Sequence, residues 1–264
     1  MMPTYTWELL RRKWFTFWWS VGISALIGVT VAAWLAIKSQ AAEFDKTFSA
    51  ISSSAGSFFC GSDFFSPIGY LSSQIYYILM PLMVIILAIT LASSLMSKDE
   101  TDATIELTLA RPVSRNKVLL GKVLAGLTIV LIVCAVSYVV AAVGVQLVGL
   151  HISQKDLLLT HLLSFAFSAS FGAITFALIA ASRILRPVAA IAATVLSFGG
   201  YIISSLSGFV SGLKPFASAL PFHYYNTVNL LSGKVSTGLV VYLVIAFVLS
   251  GLVMWFGYNR RDIG

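Results

Sequence analysis

The sequence predicts an all-α, polytopic membrane protein: six transmembrane helices, an N-terminal interfacial helix, and short outer re-entrant or interfacial helices before the last span. Three observations carry this. Of 264 residues, 58% are hydrophobic and only 10% are charged, where an ordinary soluble domain carries about 25%. The mean hydropathy is +0.92. Several apolar runs reach about 20 residues, the length needed to cross a hydrocarbon core. The net charge of +7 does not point to nucleic acid, because the basic residues are spread between the runs; basic flanks facing anionic membrane lipid account for it.

The elements follow in order along a single membrane-spanning domain over residues 1–264. In TYTWELLRRKWFTFWW, Trp7, Leu10, Trp14 and Trp18 recur at helical spacing while Glu8, Arg11 and Arg12 project to another face. This predicts a helix over about 5–16 lying in the headgroup layer; the alternative is a plain aromatic flank of the first span. The run FWWSVGISALIGVTVAAWLAI behind Arg11, Arg12 and Lys13 exceeds the roughly 7–15 apolar residues of a signal peptide, so it reads as an anchor over 17–37. Residues 38–73 form a polar, serine-rich loop with an aromatic patch at Phe58, Phe59, Phe64 and Phe65. The second span, 74–96, contains Pro81, which predicts a kink through a lost backbone bond. Spans at 123–148, 159–181, 187–206 and 237–257 complete the set. Between the last two, SGFVSGLKPFASALPFHYYNTVNLLSGKVS mixes prolines with aromatics, which fits short helices dipping into the outer headgroup region.

Orientation follows from the 17 basic residues. With the N-terminus inside, Arg11, Arg12, Lys13, Lys98, Arg111, Arg115, Lys117, Lys122, Arg183, Arg186, Arg260 and Arg261 are cytoplasmic. Only Lys38, Lys46, Lys155, Lys214 and Lys234 are outside. The positive-inside rule therefore places both termini in the cytoplasm of a cell-membrane protein.

The spans contain no Asp, Glu or Arg, so the ionisable groups that serve a proton- or sodium-driven carrier are missing. Small residues recur every four positions at Ser164, Ser168 and Gly172, and at Ala189, Ala193 and Ser197 ahead of Tyr201. That spacing predicts close helix packing; the alternative is a pathway lined by Tyr138, Ser197, Tyr201 and Ser204. His151, Asp156 and His161 are spaced by five and five, about 140° apart on a helix, which does not converge on a metal. LLSGKVST lacks the first glycine of a phosphate-binding loop and has Val235 after its lysine. Cys134 and Cys60 belong at different depths, too far apart for a disulfide, and Cys134 with Ser137 reads as a packing pair. No phosphate-binding fold has room in this chain, and no enzyme site is expected.

The remaining polar segment is SKDETDATIELTLARPVSRNKVLLGK, residues 97–122. Asp99, Glu100 and Asp102 supply capping charge for a short helix, Pro112 ends it, and Ser114 is placed to cap the helix that enters the third span. A chain reversal needs far less, as the SRILRP link at 182–187 shows, so the segment reads as a docking surface.

This segment resembles the cytoplasmic signature of permease subunits in type-2 ATP-binding-cassette (ABC) exporters. The matching positions are Thr104, Ile105, Glu106, Leu107, Leu109, Arg111, Pro112, Val113, Ser114, Arg115, Leu120, Gly121 and Lys122, while Ala103 stands where glycine is common. PFHYYN at 221–226 and the ending YNRRDIG are similar to the same family. The resemblance implies a dimer of permease subunits, homo- or heteromeric, each bound to a separate cytoplasmic ABC ATPase. It implies no cofactor in this chain, with ATP and Mg held by the partner. The coupling loop over 97–117 would then use Glu100, Thr104, Glu106, Leu107, Leu109, Arg111, Pro112, Ser114 and Arg115. Rival readings are a non-transporting scaffold or sensor subunit that docks the same ATPase, and a secondary transporter.

Overall fold

The computed structural model describes residues 2–38, 66–101, 114–182 and 184–260, with side chains from residue 4 onward and excluding those of 97–101. Among these residues every regular element is helical, and six helices are long and apolar enough to cross a membrane: Lys13–Lys38, the stretch beginning at Pro67, Arg115–Leu147, Gln154–Ala181, Arg186–Leu206 and Thr237–Arg260. The end of the bundle that carries the N-terminal helix Met2–Arg11 is called basal below, and the other end distal.

The second span starts earlier than hydropathy suggests. Ser66 accepts a hydrogen bond from the Gly69 amide at 3.0 Å, with Pro67 at the first helical position. That Ser-Pro pair is an N-terminal helix signal. The helix then widens into a π-helical stretch, Ser72–Leu79, before continuing as Met80–Thr101. Pro81 explains the irregularity. Met80 N–H bonds the Ile75 carbonyl, five residues back, so the Tyr76 carbonyl loses its α-helical donor. Its π-helical donor would be residue 81, and proline has none. The expected kink is thus a change of helical register.

Arg115–Leu147 has 33 residues, about 50 Å of helix against roughly 30 Å of hydrocarbon, so part of it projects from the membrane. It closes on Gly149 at φ 72°: Gly149 N–H bonds Gln146 O and Leu150 N–H bonds Val145 O, which is the Schellman arrangement for sparing helix-end carbonyls.

The fourth span is the hub, packing along the second and sixth and touching the fifth and third. Where it crosses the second, a side chain at Gly172 would put Cβ 2.7 Å from Ala88 Cβ and 2.9 Å from Ala88 O. Only a residue without Cβ allows that approach. The fifth span buries Ala189, Ala193, Ser197 and Gly200. The N-terminal helix, the first span and the third form one packet; the second, fourth, fifth and sixth form another. The distal half of the seam between them is filled by Ile27, Val31, Tyr70, Tyr76, Val133 and Leu157.

Candidate functional site

At the basal end Glu8 of the N-terminal helix and Arg12 just after it turn inward. Glu8 is 2% and Arg12 7% exposed, they form an ion pair one turn apart, and Arg12 reaches Ser94 Oγ with Nε and Nη2, each at 3.3 Å. The side facing outward carries Trp7, Leu10, Trp14 and Trp18 instead. The two faces set apart by the sequence are thus a lipid-side face and a protein-side face, and the helix ends at Arg11, short of the expected 16. The physical reason is that lipid lies outside the bundle. Charges find partners only inward, against Ser94, while indoles suit the membrane interface.

Two further bonds brace the helices that flank residues 97–117. Tyr5 Oη lies 3.1 Å from Thr128 Oγ1 on the third span. Lys122 Nζ, 4% exposed, donates to the Leu95 carbonyl at 2.7 Å. Residues 97–117 therefore leave from one braced helix and return into another.

Of the predicted loop residues, Thr104, Glu106, Leu107, Leu109, Arg111 and Pro112 lie outside the described residues, as does the side chain of Glu100. Ser114 occupies the N-cap position of the third span, where its carbonyl accepts from Lys117 N–H at 2.9 Å. Its hydroxyl makes no capping bond, contrary to expectation, because the backbone carbonyl alone begins the helix. Arg115 is exposed in the first turn.

The distal end is held by a polar lattice across three spans. His161 is fully buried. Ser137 spends its proton on the Val133 carbonyl at 2.8 Å, so its Oγ accepts from His161 Nε2–H at 3.0 Å. Nδ1 is then the acceptor for the Tyr76 hydroxyl at 3.3 Å, and Phe165 stacks on the ring at 5.2 Å. Both nitrogens of a neutral imidazole are satisfied. Among the described residues no three His, Cys, Asp or Glu side chains gather as metal ligands.

PFHYYN, 221–226, locks onto this lattice. Phe222 is buried against Phe167 at 4.9 Å, Tyr225 stacks on Phe167 at 4.4 Å, and Asn226 caps the next helix by accepting from Asn229 N–H at 3.0 Å. The Tyr225 hydroxyl lies 2.8 Å from the Tyr76 carbonyl and 2.6 Å from Ser164 Oγ. A carbonyl only accepts, so the phenol proton goes to the group that Pro81 orphaned. The neighbouring SGK stretch is a helix stop: Gly233, at φ 76°, donates to Leu230 O, and Lys234 N–H bonds Asn229 O.

The four candidate pathway residues sit at separate packing contacts. Tyr138 lies edge-on to His161. Ser197 is fully buried and bonds Thr194 O at 3.0 Å. Tyr201 packs between Tyr77 and Phe222. Ser204 Oγ is buried without a hydrogen-bond partner.

The family model described as ABC-2 family transporter protein matches residues 9–262. The chain belongs to that family. No curated protein and no solved structure matches it. This ABC-2 permease subunit carries an N-terminal helix that is joined through residues 12–13 to the first span. Family members are membrane subunits, typically non-catalytic. Sequence reasoning missed the buried Glu8–Arg12 pair and the His161 lattice. Glu8 and Arg12 do stand four residues apart, the spacing at which a helix pairs opposite charges, but the lattice joins residues far apart in the chain and leaves no local signal.

Proposed function

We propose that this chain is the permease subunit of an ABC exporter, working as a dimer with an identical or related permease and driven by separate ATPase subunits that hold ATP and Mg. The termini and residues 97–117 face the cytoplasm, where Glu106, Arg111 and their neighbours rest against the ATPase. One observation supports this beyond family membership: the bracing on both sides of the segment. Arg12 grips Ser94 at the end of the second span, and Tyr5 grips Thr128 on the third. A push delivered at 102–113 therefore passes into two spans instead of being absorbed by a loose tether.

The test has two stages. Purification in mild detergent should bring an ATP-binding subunit with this chain in equal ratio. Glu106→Lys or Arg111→Glu should then insert normally but lose transport-coupled stimulation of ATP hydrolysis. Wild-type stimulation in both variants, or labelling of residues 100–115 from outside intact cells, overturns the proposal.

A further inference from the structure

The basal half of the seam between the two packets is packed by Leu91, Leu95, Leu119 and Ile129 but is not filled throughout. It encloses a cavity of about 270 Å³ bounded by the second, third, fourth and sixth spans, where one water needs only about 10–15 Å³. Each wall contributes at successive turns, on the third span from Lys122 to Val130, so the space is a slot about 12 Å long parallel to the helix axes. Ala92, Gly126, Ala173 and Gly251 make the room. Lys122 is the one charged residue in the lining, at the basal end. Leu127 at the edge is 46% exposed, and Phe247, Gly251 and Met254 opposite are half-buried. The mouth therefore opens sideways between the third and sixth spans, toward lipid.

Water finds no polar partners along such walls, and an empty space forfeits dispersion contacts. The solvent at the mouth is alkyl chain, oriented as the slot is oriented. We propose that the slot holds one acyl chain of an anionic phospholipid from the leaflet bordering the N-terminal helix, with its headgroup at the Lys122 end. The charge at that end is complementary. The Lys122 ammonium closes the slot, exposed Lys117 lies farther out on the same helix, and exposed Arg260 ends the sixth span on the basal side. Lys117 and Arg260 point away from the slot, but basic residues along that edge of the membrane still enrich anionic headgroups around it. This does not depend on how the permease is driven.

Gly251→Phe tests it, because a Cβ at Gly251 meets nothing within 4 Å and the ring enters the slot without moving backbone. The chain is purified in mild detergent from membranes containing phosphatidylglycerol and phosphatidylethanolamine and weighed by native mass spectrometry. The wild type should retain one phospholipid, with phosphatidylglycerol preferred, and Gly251→Phe should lower occupancy by about tenfold or more. The Lys117→Gln/Arg260→Gln double variant should keep a lipid but lose the preference. Equal occupancy in wild type and Gly251→Phe, only detergent bound, or no headgroup preference in the wild type overturns the inference. If Gly251→Phe does not fold, phosphatidylglycerol with a photoreactive tail is applied to the wild type. Labelling must fall on Leu127 or Met254, and labelling confined to other spans is equally decisive against it.

Discussion

Tyr225→Phe removes one oxygen and nothing else of consequence. The ring keeps its stack on Phe167 at 4.4 Å, and Ser164 keeps the Thr160 carbonyl at 2.7 Å as an acceptor. The Tyr76 carbonyl, however, loses the donor at 2.8 Å that replaces both helical donors, in a site where Tyr225 is 1% exposed. An orphaned buried acceptor costs about 1–3 kcal/mol. At about 2–4 °C per kcal/mol for chains near this size, the unfolding midpoint should fall by roughly 2–12 °C. Tyr224→Phe is the matched control: its hydroxyl donates to the Ser218 carbonyl at the surface, where water replaces it, and the expected change is within about 0.5 kcal/mol. Thermal unfolding in one detergent, followed by the fluorescence of the 6 tryptophans, compares the pair. A Tyr225→Phe midpoint indistinguishable from that of Tyr224→Phe refutes the account of how Pro81 is accommodated.

Gly172→Leu should abolish folded, detergent-soluble protein, since its Cβ would lie 2.9 Å from the Ala88 carbonyl and overpacking of this kind costs about 1–3 kcal/mol or more; size-exclusion profiles report it. Ser137→Ala should lower the unfolding midpoint by orphaning His161 Nε2–H, a loss of about 1–3 kcal/mol, whereas Ser232→Ala at the exposed distal surface should be silent. Arg12→Ala should insert but couple poorly to the ATPase. Arg12→Ala and Ser94→Ala should also be non-additive in a double-mutant cycle of ATPase stimulation, because they share one contact.

The spans were legible because lipid demands long apolar runs, and six helices long and apolar enough to cross a membrane are found, the third ending at Leu147, one residue short of the expected run. Their ends were less so. Ser66-Pro67 was read as loop because hydropathy fades there, although a serine cap followed by proline announces a helix start. The N-terminal helix was legible as amphipathic, but not the burial of its Glu8–Arg12 face against the bundle. The usual rule of charge outward belongs to water, and here the outer medium is lipid and headgroups. The PFHYYN motif was recognisable by resemblance alone. Its physical reason, a phenol supplying the hydrogen that Pro81 lacks, links residues 149 positions apart and becomes visible only in three dimensions.

The division of the bundle into two packets has a mechanical corollary. The polypeptide passes from one packet to the other between 38 and 66, between 101 and 114, and between 147 and 154. The first and last of these crossings lie distally, beside the well-filled half of the seam. The middle one is the sole covalent crossing on the basal side, where the seam is greasy and tied by Arg12–Ser94 and Lys122–Leu95. The two packets are thus joined by two covalent links at the distal end and by a single one, between 101 and 114, at the basal end.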